Sequence, residues 1–321
     1  MTNNYDISHV IDLCYSSMGE HILYTFYDEA NPMAAVGAVT LSQGLKNQKL
    51  LGVNFQLNAM WSSQNGHLWV VDDQGDVFTN ANVNFKQPPF ERLKFNSGSF
   101  DINWNVTEVF KGQLNAIWGT TDDDVWVTSF AGPAFHWDGT LWVKYSLPKA
   151  PNAIDGSASN DVYVVGYEGN IHHFNGNEWV KITLPSGIPQ QDAFTDVKVL
   201  SQDKVFITGR SGCLLVGNAK EGFSDIGSAK YSWYGIGAIE ERIFLAGGEQ
   251  GIFELNDGQF VCLKDKGQPV GVFETPNAIN FIPAEQQPNP WFVRYEPGAS
   301  REWTKVNTQI SKSQNTNGVR S

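Results

Sequence analysis

The sequence predicts an all-β protein assembled from copies of one unit, and two observations carry that prediction. Three similar segments, at residues 57–75, 114–132 and 151–169, each contain a short polar stretch followed by a strand-like apolar stretch. In each copy an aromatic residue is followed six positions later by a glycine, as in Trp69 and Gly75. Aromatic residues make up 13% of the chain and charged residues only 17%. Such a composition suits pleated, half-buried strands better than helices.

The spacing of the units predicts how they assemble. They begin near residues 10, 57, 114, 151, 194, 234 and 276, with 37 to 57 residues between starts. Asp138-Gly139, Asn175-Gly176 and Asp257-Gly258 are tight-turn signals between apolar runs. Each unit is therefore interpreted as four strands, A to D. Four-stranded units of about 40 to 50 residues, repeated around an axis, form a β-propeller.

We predict a single propeller over residues 1–310, followed by a polar, disordered tail at 311–321. The units count to seven blades, with six as the alternative because the first and last units are weakest. In the last unit, strands A and B are assigned to 278–282 and 291–295 and one more strand to "REWTKV" at 301–306, which leaves it one strand short. Residues 1–8 are expected to supply that strand. Strands from both termini would then close the ring and remove its free edges.

Two segments carry a family resemblance. "NAIWGTTDDDVWVTSFAG…FHWDG…W" and "NAIDGSASNDVYVVGYEGNIHHFNGNEW" resemble a bacterial propeller repeat, N-x-I-x-x-S-x-x-D-V-W-V-V-G-x-x-G-x-I-x-H-x-D-G-x-x-W, and are similar to the propellers of two-component regulators. The resemblance implies fold rather than activity, because such repeats occur in sensors, adhesins, assembly factors and enzymes. It also implies that the B–C and D–A loops share one face, which is usually the binding face.

Charge and cysteine content narrow the function classes. The net charge is −12 and the pI about 4.9, so the surface repels nucleic acid and anionic membranes and attracts basic partners. The N-terminus lacks a basic head and an apolar core, so no signal peptide is expected. Cys14, Cys213 and Cys262 are far apart and form no C-x-x-C pair. These features favour a cytoplasmic location with reduced thiols.

Motifs for catalysis are missing from the sequence. It contains no phosphate-binding loop, nucleophile elbow or H-E-x-x-H. The six histidines are expected to be structural, and "DDD" at Asp122–Asp124 is interpreted as a solvated turn. We therefore expect no metal and no cofactor, and an enzyme is the less favoured hypothesis.

Candidate partner-binding residues lie on the predicted B–C turns and in one long segment. The turns carry a ring of carboxylates expected to focus negative potential: Asp28, Glu29, Asp72, Asp73, Glu168, Glu249 and Glu296. Residues 81–111 make the second unit longest and contain three large aromatic residues, Phe100, Trp104 and Phe110. Such an insertion on a rigid scaffold is typical of recognition. The alternative is an ordinary long D strand with a packed loop.

The favoured hypothesis is a non-enzymatic, cytoplasmic propeller that binds a protein partner, with a basic partner as the charge suggests. An immunity or antitoxin-like neutralising role would suit a free-standing acidic domain. One alternative is a carbohydrate-active hydrolase or lyase that uses carboxylates in the central pocket, with Glu168 and Asp73 as candidates. Another is a sensor-type, ligand-binding propeller. The oligomeric state is left open.

Overall fold

The computed structural model describes residues 7–308 except 17–18, 29–30, 41–45, 54, 86–103, 149, 189–192 and 287–289. These residues form seven four-stranded antiparallel sheets, in each of which the strands neighbour one another in chain order. A 3-10 helix, Gly248–Gln250, lies in one turn. No helix within the described ranges is long and apolar enough to cross a membrane. The predicted all-β propeller is confirmed.

The first four sheets take up the chain to residue 181. They contain β1 (Ile7–Ser16), β2 (Gly19–Asp28), β3 (Asn31–Thr40) and β4 (Lys46–Val53); β5 (Leu57–Ser62), β6 (Leu68–Asp72), β7 (Asp76–Thr79) and β8 (Asn105–Glu108); β9 (Leu114–Thr121), β10 (Asp124–Ser129), β11 (Ala134–Trp137) and β12 (Trp142–Tyr145); and β13 (Pro151–Ala158), β14 (Asp161–Gly166), β15 (Ile171–Phe174) and β16 (Trp179–Lys181).

The remaining three sheets follow the same plan. They contain β17 (Phe194–Ser201), β18 (Lys204–Gly209), β19 (Leu214–Asn218) and β20 (Gly222–Asp225); β21 (Gly235–Ile239), β22 (Arg242–Ala246), β23 (Ile252–Asn256) and β24 (Gln259–Lys264); and β25 (Pro269–Thr275), β26 (Ala278–Pro283), β27 (Trp291–Tyr295) and β28 (Trp303–Asn307).

The first strand of each sheet is the innermost. These strands contact one another in cyclic order, and β25 of the last sheet returns to β1 of the first. Together they surround a central channel of about 810 Å³. The strand order therefore places every A strand around one axis and every D strand at the periphery.

Ring closure differs from the prediction. The sheets are each built from four consecutive strands, and among the described residues none combines strands from both ends of the chain. The error arose because "PNAIN" at 276 resembles "PNAID" at 151, which begins an inner strand. In the structure Pro276 and Asn277 form the turn between β25 and β26, so the last unit has its own inner strand.

The first and last sheets are instead joined by side chains. The buried Gln286 amide accepts from Val10 N at 2.7 Å and donates to Val10 O at 2.9 Å. Arg294 pairs with Glu20 across the same junction. Each bond satisfies a polar group that the packing of the two sheets removes from water.

Aromatic residues of the second strands fill the space between neighbouring sheets. Trp126 of β10 is fully buried and contacts Phe174 and Trp179 of the next sheet, with ring centroids 4.8 Å and 5.2 Å away. Trp69 of β6 and Tyr163 of β14 are buried in equivalent clusters. This confirms the interpretation that both faces of these strands are covered, and it explains why one unit cannot bury its apolar surface alone.

The repeated "NA" dipeptide has a structural cause. In β5, β9 and β13 the ladder shifts register at the asparagine or just beside it, and the side-chain amide reaches the neighbouring inner strand. Each amide donates to the carbonyl of the first residue of the next inner strand: Asn58 to Leu114 at 2.6 Å, Asn115 to Pro151 at 2.7 Å and Asn152 to Phe194 at 2.6 Å. These inter-sheet amide bonds tie successive sheets together around the channel.

Candidate functional site

The B–C face is the face formed by the turns that join the second strand of each sheet to the third. Glu168 and Glu249 are exposed in two of these turns, and Asp73 is partly exposed in a third. Glu168 has a positive φ of 58°, so it occupies a sharp bend next to Gly169. The structure therefore brings three of the predicted carboxylates to one face.

Glu296 does not belong to this face. It follows β27, the third strand of the last sheet, and so lies in a C–D turn on the opposite face. The prediction was displaced by one strand because β25 was missed. The B–C turn of this sheet follows β26 instead and carries the exposed Glu285.

Asp72 lies in the expected turn but is not accessible. Its side chain is 0% exposed, and Oδ1 accepts hydrogen bonds from the backbone N–H groups of Gln74, Gly75 and Asp76 at 2.7 to 3.0 Å. Burial raises its pKa to about 6, against the lowering effect of those bonds. Asp72 therefore shapes the turn that presents Asp73. Asp28 ends β2, and Glu29 lies outside the described residues.

The described residues of the long segment pack against neighbouring sheets and are not fully exposed to a partner. Its residues 105–108 form β8, the fourth strand of the second sheet. Trp104 Nε1 donates to Leu50 O at 3.1 Å, and the Phe110 ring lies 5.5 Å from that of Phe135. Both aromatic residues are half-buried. Trp104 and Phe110 therefore pack against neighbouring sheets at the two ends of a short D strand, while Phe100 and the rest of residues 86–103 lie outside the described residues.

The B–C face also carries an aromatic pair that sequence reasoning missed. Phe130, between β10 and β11, is 48% exposed, and its ring packs edge-on against Tyr167, between β14 and β15, at 6.1 Å. Backbone bonds through Ala150 hold the two turns together: Ala150 N donates to Phe130 O at 3.0 Å and Tyr167 N to Ala150 O at 3.1 Å. Both aromatic residues are visible in the turn sequences "SFAG" and "YEG", but an aromatic residue in a turn does not by itself indicate a contact with another turn.

Below this face the channel contains charged side chains of both signs. Asp12, Asp155 and Asp196 each accept one backbone N–H from their own strand and one from the next inner strand. The bonds from the next strand come from Met60 at 2.7 Å, Val199 at 2.7 Å and Ile236 at 3.0 Å. Burial raises the pKa of Asp12 and Asp196 to about 7 and that of Asp155 to about 6. These aspartates therefore stabilise the ring by bonding neighbouring inner strands to each other.

Lys198 neutralises part of this charge. Its Nζ lies 2.7 Å from Glu274 Oε2, and Glu274 Oε1 accepts from Ala238 N at 2.6 Å. Burial alone would lower the pKa of Lys198, but Asp155 and Glu274 raise it, so the ammonium stays charged. Gly237 lies next to this arrangement, where a Cβ would be 3.4 Å from Glu274 Oε1 and only 2.7 Å from Val272 Cγ1.

On the face formed by the A–B turns, two sets of side chains each combine a hydroxyl, a carboxylate and an imidazole, but in an order unsuited to catalysis. Thr120 and His136 both bond Asp124, while Ser157 and His173 both bond Asp161. In each set the carboxylate lies between the hydroxyl and the imidazole, so the hydroxyl bonds the carboxylate and not an imidazole base. The histidine equivalent to His136 is therefore His173, and not the adjacent His172. Both sets tie strands of one sheet together.

The "DDD" turn is also structural. Asp122 accepts from Asn65, His67 and Trp69 of the preceding sheet at 3.0, 2.7 and 3.0 Å. Burial alone would raise its pKa, but these bonds hold it below the usual range. The solvated-turn interpretation is wrong for this residue. Among the described residues no group of three or more His, Cys, Asp or Glu side chains could hold a metal ion.

Comparison with known proteins identifies the fold. No protein-family model matches the chain, and no curated protein matches it. It is similar to solved structures of virginiamycin B lyase from Staphylococcus aureus (TM-score 0.64, 11% identity, 94% of this chain and 95% of that one) and the WD40 β-propeller domain of Doa1 (0.62, 12%, 97% and 96%). YCF48 bound to D1 peptide is also similar (0.54, 13%, 78% and 82%). At these identities the likeness establishes the propeller fold.

Proposed function

We propose that the chain is a non-enzymatic, cytoplasmic protein-binding propeller that recognises a basic partner through its B–C face. The observation that carries the proposal is the exposed Phe130, packed against the half-buried Tyr167, beside the exposed Glu168. Interface centres are typically aromatic, while rims are polar and solvent-accessible. A neutralising, immunity-like role is the biological setting that we propose for this surface.

The geometry favours a protein over a small molecule at this face. Phe130 is held by backbone bonds on a turn that projects from a rigid sheet, so little conformational entropy is lost when a partner covers it. Asp73, Glu168 and Glu249 add negative charge on several turns of the same face. The solved complex of YCF48 with D1 peptide supports peptide recognition by this fold.

The proposal is tested with the partner that co-purifies with the wild-type chain, by measuring both rate constants. Phe130→Ala should raise Kd by about tenfold or more, mainly through faster dissociation and with little dependence on salt. The matched control is Leu141→Ala, because Leu141 is 51% exposed in a C–D turn on the opposite face. Equal effects of the two substitutions would remove the support for this face.

The charges are tested separately. Replacing Asp73, Glu168 and Glu249 together by Lys should slow association, and the loss should shrink as salt rises, because rim charges mainly steer encounter. Glu178→Lys on the opposite face is the control. Unchanged association by the triple variant at low salt would contradict a basic partner.

A further inference from the structure

We propose that the central channel is a binding site for a short neutral saccharide. The channel has a volume of about 810 Å³ and is open enough to leave Tyr15 45% exposed on its wall. Cavities of about 300 to 1,000 Å³ are the usual size of small-molecule sites. The inference is independent of the protein-binding face and rests on how aromatic and charged residues divide the channel wall.

One part of the wall is aromatic. Trp61, Trp118 and Phe273 occupy equivalent positions in β5, β9 and β25, and Tyr15 lies on β1 between them. The glycines that follow in the next sheets let the indoles lie along the wall: a Cβ at Gly156 would stand 2.6 Å from Trp118 Cη2, and one at Gly119 would stand 3.0 Å from Trp61 Cη2. The second, third and last sheets thus place an aromatic ring at one level of the wall, and the first sheet adds Tyr15 one position beyond that level on β1.

The opposite part of the wall is charged at the same level. Asp155 and Lys198 take, in the fourth and fifth sheets, the position that Trp61 and Trp118 hold in the second and third, and Glu274 of β25 reaches Lys198 across β21. Gly235 and Gly237 in β21 add no side chain to this side, and Val272 of β25 packs closely against both of them. A ligand in the channel therefore meets aromatic rings on one side and a mixed donor and acceptor set on the other.

The mixture of charges selects the ligand class. A cation would face the Lys198 ammonium, and an anion would face the carboxylates of Asp155, Asp196 and Glu274. A neutral ligand with hydroxyl groups avoids both conflicts, because each hydroxyl donates to a carboxylate and accepts from an ammonium. A sugar ring also presents an apolar C–H surface that suits Trp61 and Trp118. Saccharides combine these two properties.

The test is isothermal titration calorimetry of the full chain with maltotriose, cellotriose, xylotriose and chitotriose, and with agmatine and citrate as ionic probes. At least one trisaccharide should bind, and Trp118→Ala should weaken that binding by about tenfold or more. Trp142→Ala is the matched control, because Trp142 is a half-buried indole on the outer strand β12. Trp118→Phe keeps an aromatic ring and should retain binding if the alanine variant fails to fold.

Two further variants separate the parts of the proposal. Lys198→Met should also weaken trisaccharide binding, whereas Phe130→Ala on the B–C face should leave it unchanged. The proposal is overturned if no trisaccharide binds the wild-type chain, or if agmatine or citrate binds more tightly than every trisaccharide. It is equally overturned if Trp118→Ala and Trp142→Ala reduce binding to the same extent.

Discussion

Asp122 should be worth more to stability than its place in an acidic surface turn suggests. Asp122→Ala removes the acceptor of three donors on the preceding sheet: Asn65, His67 and Trp69. Asn65 is exposed and His67 half-buried, so water can replace the carboxylate for both. Trp69 is fully buried, and its indole N–H would be left without a partner. Leaving a buried donor unpaired costs about 1 to 3 kcal/mol.

We therefore expect Asp122→Ala to lower the free energy of unfolding by about 2 kcal/mol, and the melting temperature by about 3 °C for a chain of this size. The measurement is urea unfolding followed by tryptophan fluorescence and far-UV circular dichroism. Asp123→Ala is the matched control, because Asp123 is the exposed neighbour in the same turn. Its loss should stay within about 0.5 kcal/mol.

A double-mutant cycle isolates the bond responsible. Trp69→Phe removes the indole N–H, so adding Asp122→Ala to this variant should cost about 1 kcal/mol less than adding it to wild type. If Asp122→Ala and Asp123→Ala are equally stable, or if the cycle shows no coupling, the argument from the buried donor is refuted.

Two other predictions concern the inner strands. Burial raises the folded-state pKa of Asp12, Asp155 and Asp196, so their contribution to stability is fully present below about pH 4 and is lost as pH rises through about 6 to 7. The melting temperature should therefore be lower at pH 8 than at pH 5. An unchanged melting temperature would count against these pKa shifts. Asn115→Ala breaks an inter-sheet amide bond and should cost about 1 to 2 kcal/mol in urea unfolding, whereas Asn177→Ala in an exposed hairpin should cost less than about 0.5; similar losses would contradict the role of the amide.

Most of the fold could be predicted because its signals are local. The aromatic-to-glycine spacing and the Asp-Gly and Asn-Gly turns mark strand and turn positions without knowledge of distant contacts. The strand β25 was missed because "PVGVFET" lacks the "NA" dipeptide, and a copy of that dipeptide occurs in the turn that follows. One missed strand then moved Glu296 to the wrong face, since successive turns alternate between the faces of an antiparallel sheet.

The candidate site was less predictable because it depends on burial and on contacts between sheets. Nothing in "VVDDQG" distinguishes Asp72, which is buried in its own turn, from Asp73, which reaches solvent. The Phe130–Tyr167 pair joins residues on different sheets, so neither turn alone indicates it. Likewise, the division of the channel wall follows from which residue each sheet places at one level, and that requires the register of all the inner strands.

The inter-sheet amide bonds all run in the same direction around the ring, and this direction affects where the ring opens. Each asparagine holds the sheet that follows it, and Thr195 continues the series with a bond to Trp233 O at 2.9 Å. Ile11 and Val270 occupy the equivalent positions in the first and last sheets, and neither can donate. The molecule thus has a seam where its two ends meet, held by the side chains of Gln286 and Arg294 in place of an inter-sheet amide bond. Amide hydrogens of β1 and β25 should exchange through partial opening at this seam before those of β9 and β13. A circular permutant whose new termini lie between two sheets that are joined by an inter-sheet amide bond should be less stable than the original chain.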